Sequence, residues 1–414
     1  MSLNNTPMAN RLAISIFGKR NAGKSSLINA LTGQSFAITS PVAGTTTDPV
    51  YKTMELLPIG PVVITDTAGL DDDGELGAQR IEKTYEVLRK THLAIVVISA
   101  ETGITDFERD FLADLKKRQT PTVVVFNKTD LAPMAEGLLK EQKKALALPV
   151  VQVSAATGAG IAALKELIIE NARFDAEELG LVGDLVRPGE IAVLVTPIDK
   201  AAPKGRLILP QQQVIRDLLE IDAIVMVTKE HELKQTLESL RQKPAIVITD
   251  SQAFLKVSAD TPNDIPLTSF SILFARQKGD LAAMVEGLRR IEQLTPQDKV
   301  LIVEGCTHHR QSDDIGTVKI PRWIRQIVGG DVQFEWISGV QYPKNIGDYA
   351  VIVHCGGCML NRKEMQYRIA LAREYGVAIT NYGMLIAYTM GILPRALKPF
   401  PAAMLALEEV AQPD

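Results

Sequence analysis

The chain has 414 residues, 46% of them apolar and 23% charged, and a net charge of -4. That length suggests two or three domains, each able to bury its own core, and the mild acidity gives no reason to expect a nucleic-acid partner. No run of about 18 uninterrupted apolar residues appears, so no membrane span is expected. The polar stretch Met1 to Asn10 lacks the charged-then-apolar layout of a secretory leader. Three cysteines, all clustered late, fit a reducing cytoplasm better than a disulfide scaffold.

Arg11 to Phe17 reads as a strand that runs into Gly18-Lys19-Arg20-Asn21-Ala22-Gly23-Lys24-Ser25, with a helical stretch from near Ser26. This is a full phosphate-binding loop. Gly18 and Gly23 permit a backbone whose N–H groups converge on phosphates at a helix N-terminus, where the dipole favours negative charge. Asn21, Ala22, Gly23, Lys24, Ser25 and Ser26 are therefore nucleotide-binding candidates. Lys24 is expected to reach the β and γ phosphates, and Ser25 to ligate Mg2+.

The polar segment Gly44-Thr45-Thr46-Thr47-Asp48 offers Thr46 as the switch threonine that completes the magnesium shell. The apolar run Val62 to Thr65 then ends at Asp66-Thr67-Ala68-Gly69, where Asp66 suits magnesium and the Gly69 amide suits a γ phosphate. Leu70 stands where a water-orienting glutamine is often found, so slow intrinsic turnover is expected. Of the acidic residues that follow, Glu75 is the candidate for positioning water.

Asn127-Lys128-Thr129-Asp130 follows the strand Val123 to Phe126. The Asp130 carboxylate can accept two hydrogen bonds from guanine N1 and N2, which adenine cannot supply, so GTP is favoured over ATP. Ser154-Ala155, after the strand Val150 to Val153, places a backbone amide for guanine O6. Four motifs in order, each after a strand, point to one nucleotide site.

The middle of the chain carries no readable chemistry. Apolar runs recur at Ile191 to Val195, Arg206 to Leu209, Ala223 to Val227 and Ala245 to Ile248, with helical stretches at Gln211 to Leu219 and His231 to Arg241. A small α/β module fits these, and His231 reads as a solvated or capping residue.

From about Ile265 the pattern changes. Leu281 to Ile291 reads as an amphipathic helix, and the buried-strand runs Val300 to Val303 and Ala350 to Val353 lead to Cys306-Thr307-His308 and His354-Cys355-Gly356-Gly357-Cys358. Ligand sites in open parallel sheets gather at the carboxyl ends of strands, so both cysteine groups are expected on one edge. A helix from Arg362 to Tyr375 is expected to aim its first amides at the Cys358 side. Two readings stay open: a closed Cys3His zinc site built with one histidine, or three cysteines holding a 4Fe-4S cluster with one iron lacking a thiolate.

The GTPase motifs resemble those of the TrmE and Era group. In that group the loop asparagine, here Asn21, sits on K+ beside the phosphates, which implies potassium activation. This chain departs from the group's switch pattern at Thr47. The combination with Cys-x-His and a later His-Cys-x-x-Cys resembles the HydF family of FeFe-hydrogenase maturation GTPases, from about Arg11 to Phe400.

The resemblance implies an α/β chain in three parts: a P-loop GTPase domain over residues 1–174, a small α/β dimerisation domain over 175–262, and an α/β cluster-binding domain with parallel strands over 263–414. It makes Cys306, Cys355 and Cys358 ligands of a 4Fe-4S cluster. His308 and His354 match the motif's histidines, with His309 or Glu304 as competitors for the open iron and a hydrogen-bonding role as the alternative. It further implies a homodimer that carries the diiron subcluster of the hydrogenase, received from the radical-SAM maturases HydE and HydG and passed to the apo-hydrogenase.

Overall fold

The computed structural model describes residues 11–33, 50–67, 75–133, 135–172, 180–197, 207–305, 314–339, 342–343 and 345–411, with residues 75–81, 136 and 410–411 by backbone alone. They form two compact units, Met1–Glu177 and Glu178–Asp414. No helix among the described residues is long and apolar enough to cross a membrane.

The first unit is one six-stranded sheet. Its strands are β1 (Leu12–Phe17), β2 (Val50–Leu56), β3 (Gly60–Asp66), β4 (Leu93–Ser99), β5 (Thr122–Asn127) and β6 (Val150–Gln152), in the order β2-β3-β1-β4-β5-β6. Only the β2–β3 pair is antiparallel; β1, β3, β4, β5 and β6 run parallel. Five helices accompany it: α1 (Lys24–Thr32), α2 (Glu75–Lys90), α3 (Asp106–Lys117), α4 (Glu136–Leu146) and α5 (Ile161–Asn171). Helices on both faces explain why β1, β4 and β5 read as continuous apolar runs: alternate residues feed two cores, one around Ile14, Ile95 and Val125, the other around Phe17, Val96 and Phe126.

The second unit holds two all-parallel four-stranded sheets. The first joins β7 (Ile191–Val195), β8 (Ile224–Thr228), β9 (Ile246–Thr249) and β10 (Leu267–Ser269) in the order β10-β9-β7-β8. Its helices are α6 (Leu209–Glu220), α7 (Leu233–Ser239), α8 (Phe254–Asp260) and α9 (Phe270–Lys278). Because β10 pairs with β9, this sheet runs on to Ser269, and the boundary expected at residue 262 falls between α8 and β10.

The apolar run expected to end at Leu209 does not form a strand in its described part. Pro210 sits in the first helical turn and the Gln211 side chain accepts from the Ile208 N–H at 3.1 Å, so Leu209 opens α6 instead.

The other sheet joins β11 (Lys299–Glu304), β12 (Gln333–Ser338), β13 (Val351–His354) and β14 (Ala378–Asn381) in the order β12-β11-β13-β14. Around it lie α10 (Leu281–Glu292), α11 (Ile320–Val328), α12 (Arg362–Glu374), α13 (Tyr382–Thr389), α14 (Leu393–Leu397) and α15 (Pro401–Ala411). The pairs Val303 with His354, His354 with Asn381, and Glu304 with Ser338 bring the carboxyl ends of all four strands level. One apolar core extends from Leu181 to Ala403 and includes residues of both sheets.

Helix α10 crosses β14 at Gly287, where an added Cβ would stand 2.1 Å from the Ile379 carbonyl oxygen. Gly287→Ala therefore has to push the helix off the sheet. Urea unfolding should show a loss of roughly 1–3 kcal/mol, as for other overpacked cores; an unchanged midpoint would mean that this crossing is loose.

Candidate nucleotide site and cysteine site

The loop between β1 and α1 takes its path from three left-handed residues, Asn21 with φ 60°, Gly23 with φ 91° and Gly18 with φ 149°. At Gly18 a Cβ would meet the Val97 carbonyl oxygen at 2.3 Å, and at Gly23 one would meet Asn127 Nδ2 at 2.2 Å. Glycine is therefore required by close approach as well as by φ. Lys24, buried at the start of α1, lays its Nζ back across the loop and donates to the carbonyls of Gly18 and Lys19 at 3.0 and 2.8 Å. Ala22 is buried, and Ser25 and Ser26 are exposed on the first turn of α1.

Ser25 Oγ donates to Asp66 Oδ2 at 2.6 Å, which joins the loop to the end of β3. The other Asp66 oxygen, Oδ1, is buried and has no hydrogen-bond partner among the described residues. Burial pushes the Asp66 carboxyl above its ordinary range, against the Ser25 hydrogen bond and the charges of Lys24 and Lys52. A buried carboxylate oxygen with no partner among the described residues, beside a serine hydroxyl, fits a divalent cation. Thr46 and Gly69 lie outside the described residues; Glu75 opens α2, but its side chain lies outside them too.

The ends of β5 and β6 supply the other half. Asn127 Nδ2 donates to Ala22 O at 3.0 Å, while its Oδ1 accepts from Ala155 N at 3.0 Å. Ser154 Oγ donates to Asp130 Oδ1 at 2.6 Å. Lys128, left-handed with φ 66°, pairs with Glu101 at 3.4 Å. Thus Asn21 to Ser26, Asp66, Asn127, Lys128, Asp130, Ser154 and Ala155 stand along the carboxyl edge of one parallel sheet, as expected of a ligand crevice.

The cysteine site occupies the carboxyl edge of the β12-β11-β13-β14 sheet. Cys355 N continues the ladder by donating to Val303 O at 2.8 Å. Its sulfur accepts two backbone N–H groups, from Gly305 at 3.1 Å and Gly357 at 3.4 Å. Gly357 turns left-handed with φ 63°, which curls the chain towards Cys358. Cys306 follows Gly305 directly; with His308 and His309 it lies outside the described residues. No group of three metal-ligating side chains gathers among the described residues. Burial raises both thiols, and that rise is countered at Cys355 by the Gly305 and Gly357 amides and at Cys358 chiefly by the Lys278 ammonium. Sulfurs that accept N–H bonds beside a buried cation suit thiolate ligands, so the two cysteines fit a thiolate-bound centre.

His354 is fully buried and both ring nitrogens are engaged within the protein. Nδ1 lies 2.7 Å from Cys355 O and Nε2 lies 3.0 Å from Arg368 Nη1. The carbonyl can only accept and the guanidinium can only donate, which puts the proton on Nδ1. Burial and the neighbouring guanidinium push the ring's pKa down to about 3. In this arrangement His354 steers the Cys355 backbone and has no lone pair left for iron or zinc. Glu304, also buried, accepts from Ser338 Oγ at 3.2 Å.

Of the first amides of α12, that of Glu364 is taken by the Asn361 side chain at 3.0 Å, and a charge beside Cys358 comes from Lys278.

Residues 282–399 match the family model described as the hydrogen maturase F tetramerization domain, and residues 181–279 match that of its dimerization domain. The chain belongs to the hydrogen maturase F family. Residues 13–128 match a third model, described as 50S ribosome-binding GTPase. Curated relatives of this part include tRNA modification GTPases MnmE. The one from Paraburkholderia xenovorans is 36% identical over 166 residues, 40% of this chain and 35% of the relative. The one from Symbiobacterium thermophilum is 39% identical over 168 residues, 40% and 36% of the two chains. The chain therefore spans little more than a third of the length of the curated relatives it matches.

Similar solved structures include Aquifex aeolicus Era bound to GDP and aluminium fluoride, at 21% identity and a TM-score of 0.36 over 52% of this chain and 93% of that one. Another is the G domain of the T. maritima FeoB iron transporter, at 24% and 0.32 over 40% and 100%.

For this member of the hydrogen maturase F family the α/β class is as expected: a P-loop GTPase domain followed by α/β parts built on parallel sheets. Sequence reading misses two residues of the cysteine site, Lys278 and Arg368. Lys278 ends α9 three residues after the largely apolar stretch Phe270 to Ala275, and Arg368 follows Glu364 by one helical turn; those are the local signals that each one gives.

Proposed function

We propose that this chain is a GTP-hydrolysing scaffold and carrier for the diiron subcluster of FeFe-hydrogenase. What carries the reading is the presence, in one hydrogen maturase F chain, of both a phosphate-binding loop and a Cys-x-x-Cys loop whose first sulfur accepts the amide of the residue before Cys306. In the first unit Lys24 offers its charge to the β and γ phosphates of GTP, and the amides from Asn21 to Ser26 cradle them. Ser25, Asp66 and Thr46 hold Mg2+, and Asn21 holds K+. Gly69 senses the γ phosphate, and Glu75 positions water. Asn127 and Lys128 brace the base site, while Asp130 and the Ser154–Ala155 turn select guanine.

In the second unit Cys306, Cys355 and Cys358 hold a 4Fe-4S cluster, which supplies one iron without a thiolate for exchange with an outside ligand. His308, two positions after Cys306 in the sequence, is the other motif histidine. The diiron subcluster is cargo, taken from HydE and HydG and handed to the apo-hydrogenase in the cytoplasm. The dimerization-domain match and the exposed apolar residues Ile224 and Val227 on edge strand β8 support a homodimer. GTP acts on the cargo only through a difference in partner affinity between nucleotide states.

The test is activation of apo-hydrogenase by the cargo-loaded full chain with GTP present. Wild type should activate, Cys358→Ser should not, and Lys24→Ala should hold cargo yet turn over no partners. Equal activation by Cys358→Ser would end the scaffold reading, and normal cycling by Lys24→Ala would end the role of GTP.

A further inference from the structure

Lys278 is the last residue of α9 and is 4% exposed. Its Nζ donates to three carbonyl oxygens of one loop: Gly357 at 3.1 Å, Cys358 at 3.2 Å and Leu360 at 2.7 Å. The same ammonium lies 5.0 Å from the centre of the Phe274 ring. Helix α9 is tied to the elements on either side of the loop at further points. Gln366 of α12 donates back to the carbonyls of Lys278 and Gly279, and Asn381 Nδ2 donates to Ser271 O at the start of α9. A Cβ on Gly356 would lie 3.4 Å from Ser271 Oγ, so the Cys-x-x-Cys loop rests on α9 near both ends of that helix.

A desolvated lysine is costly unless its donors and charge are matched. Three carbonyls match the donors, and the bond to Cys358 O sets the ammonium beside a candidate ligand, where it opposes the negative charge that a thiolate-held 4Fe-4S centre would carry and that grows on reduction.

We propose that Lys278 is the positioning residue of the cysteine loop: it holds Gly357, Cys358 and Leu360 in the ligating geometry before any cluster arrives and offsets the charge of the reduced cluster afterwards. The residue belongs to the span matched by the dimerization domain, whereas the loop it holds belongs to the span matched by the tetramerization domain. This rests on the reading of Cys355 and Cys358 as cluster ligands.

The experiment compares full-length wild type, Lys278→Met and Lys278→Arg after anaerobic reconstitution with iron and sulfide. Iron and sulfide retained under a chelator challenge and the midpoint from an EPR-monitored redox titration are read for each. Hydrogen exchange over residues 355–361 is read on the proteins before loading. Lys278→Met should retain cluster roughly 10–100-fold less well, titrate at a lower potential and exchange faster in the loop, and Lys278→Arg should restore part of each. If Lys278→Met fails to fold by circular dichroism, Lys278→Gln takes its place, with the lower potential still required. Wild-type potential, retention and exchange in the uncharged variant would overturn the proposal. A wild-type protein that takes up no cluster would instead overturn the ligand reading beneath it.

Discussion

Lys24→Ala is expected to lose GTP hydrolysis almost completely, with kcat/KM down by at least about 100-fold. Hydrogen bonds to charged groups contribute roughly 1.5–3 kcal/mol each, so two lost phosphate contacts reach that size without any further effect. The structure adds a second reason. The Lys24 ammonium ties the two carbonyls of Gly18 and Lys19 on the rim of the loop. Removing it loosens the backbone whose amides must converge on the phosphates. Steady-state phosphate release and titration with a fluorescent guanine nucleotide check both parts. Hydrolysis within a few-fold of wild type would show that the loop does not act as the phosphate site.

The second large effect concerns the floor of the cysteine site. Arg368 is fully buried, with Nε donating to Glu364 Oε1 at 2.9 Å, Nη1 against His354 Nε2 at 3.0 Å and Nη2 donating to Gly339 O at 3.3 Å. Its guanidinium also faces the Tyr342 ring at 4.9 Å. Arg368→Met leaves the Glu364 carboxylate, itself only 2% exposed, without its counter-charge. Breaking such a pair costs about 3–5 kcal/mol. It also frees His354 from the bond that fixes its tautomer and, through Cys355 O, the direction of the cysteine backbone. Urea unfolding of the full chain should register that loss in the transition of the second unit. Arg368→Met combined with Glu364→Gln should recover part of it, because no buried charge is then orphaned. A loss below about 1 kcal/mol in the single variant would mean that water already reaches this pair.

Much of the fold is legible because the information is local. Strands β1, β3, β5 and β6 are apolar runs that end in polar motifs, so the loop from Gly18 to Ser25, Asp66, Asn127 to Asp130 and Ser154 announce themselves. Strand β4 has the same composition but no motif at its end. The antiparallel β2 alternates half-buried and exposed residues, and its stated partner is visible only once the sheet is assembled. At the cysteine site the ligand candidates are legible from spacing, whereas their surroundings are not. Lys278 reaches Leu360 from 82 positions away, and Asn381 meets Ser271 across 110. Such contacts are set by how α9 packs on the sheet edge, and no local pattern encodes them. His354 illustrates the same limit. Sequence spacing makes it a ligand candidate, while a buried arginine fourteen residues on occupies the nitrogen that ligation would need.

The central claim is that one chain couples a GTPase site to an iron-sulfur centre on Cys306, Cys355 and Cys358. The direct measurement is iron, sulfide and zinc content of protein purified without oxygen, with EPR after reduction, for wild type and Cys355→Ser. The account predicts near-stoichiometric 4Fe-4S cluster in wild type and none in the variant. Stoichiometric zinc, with no cluster formed on supplying iron and sulfide, would contradict it and leave a GTPase with a structural metal domain.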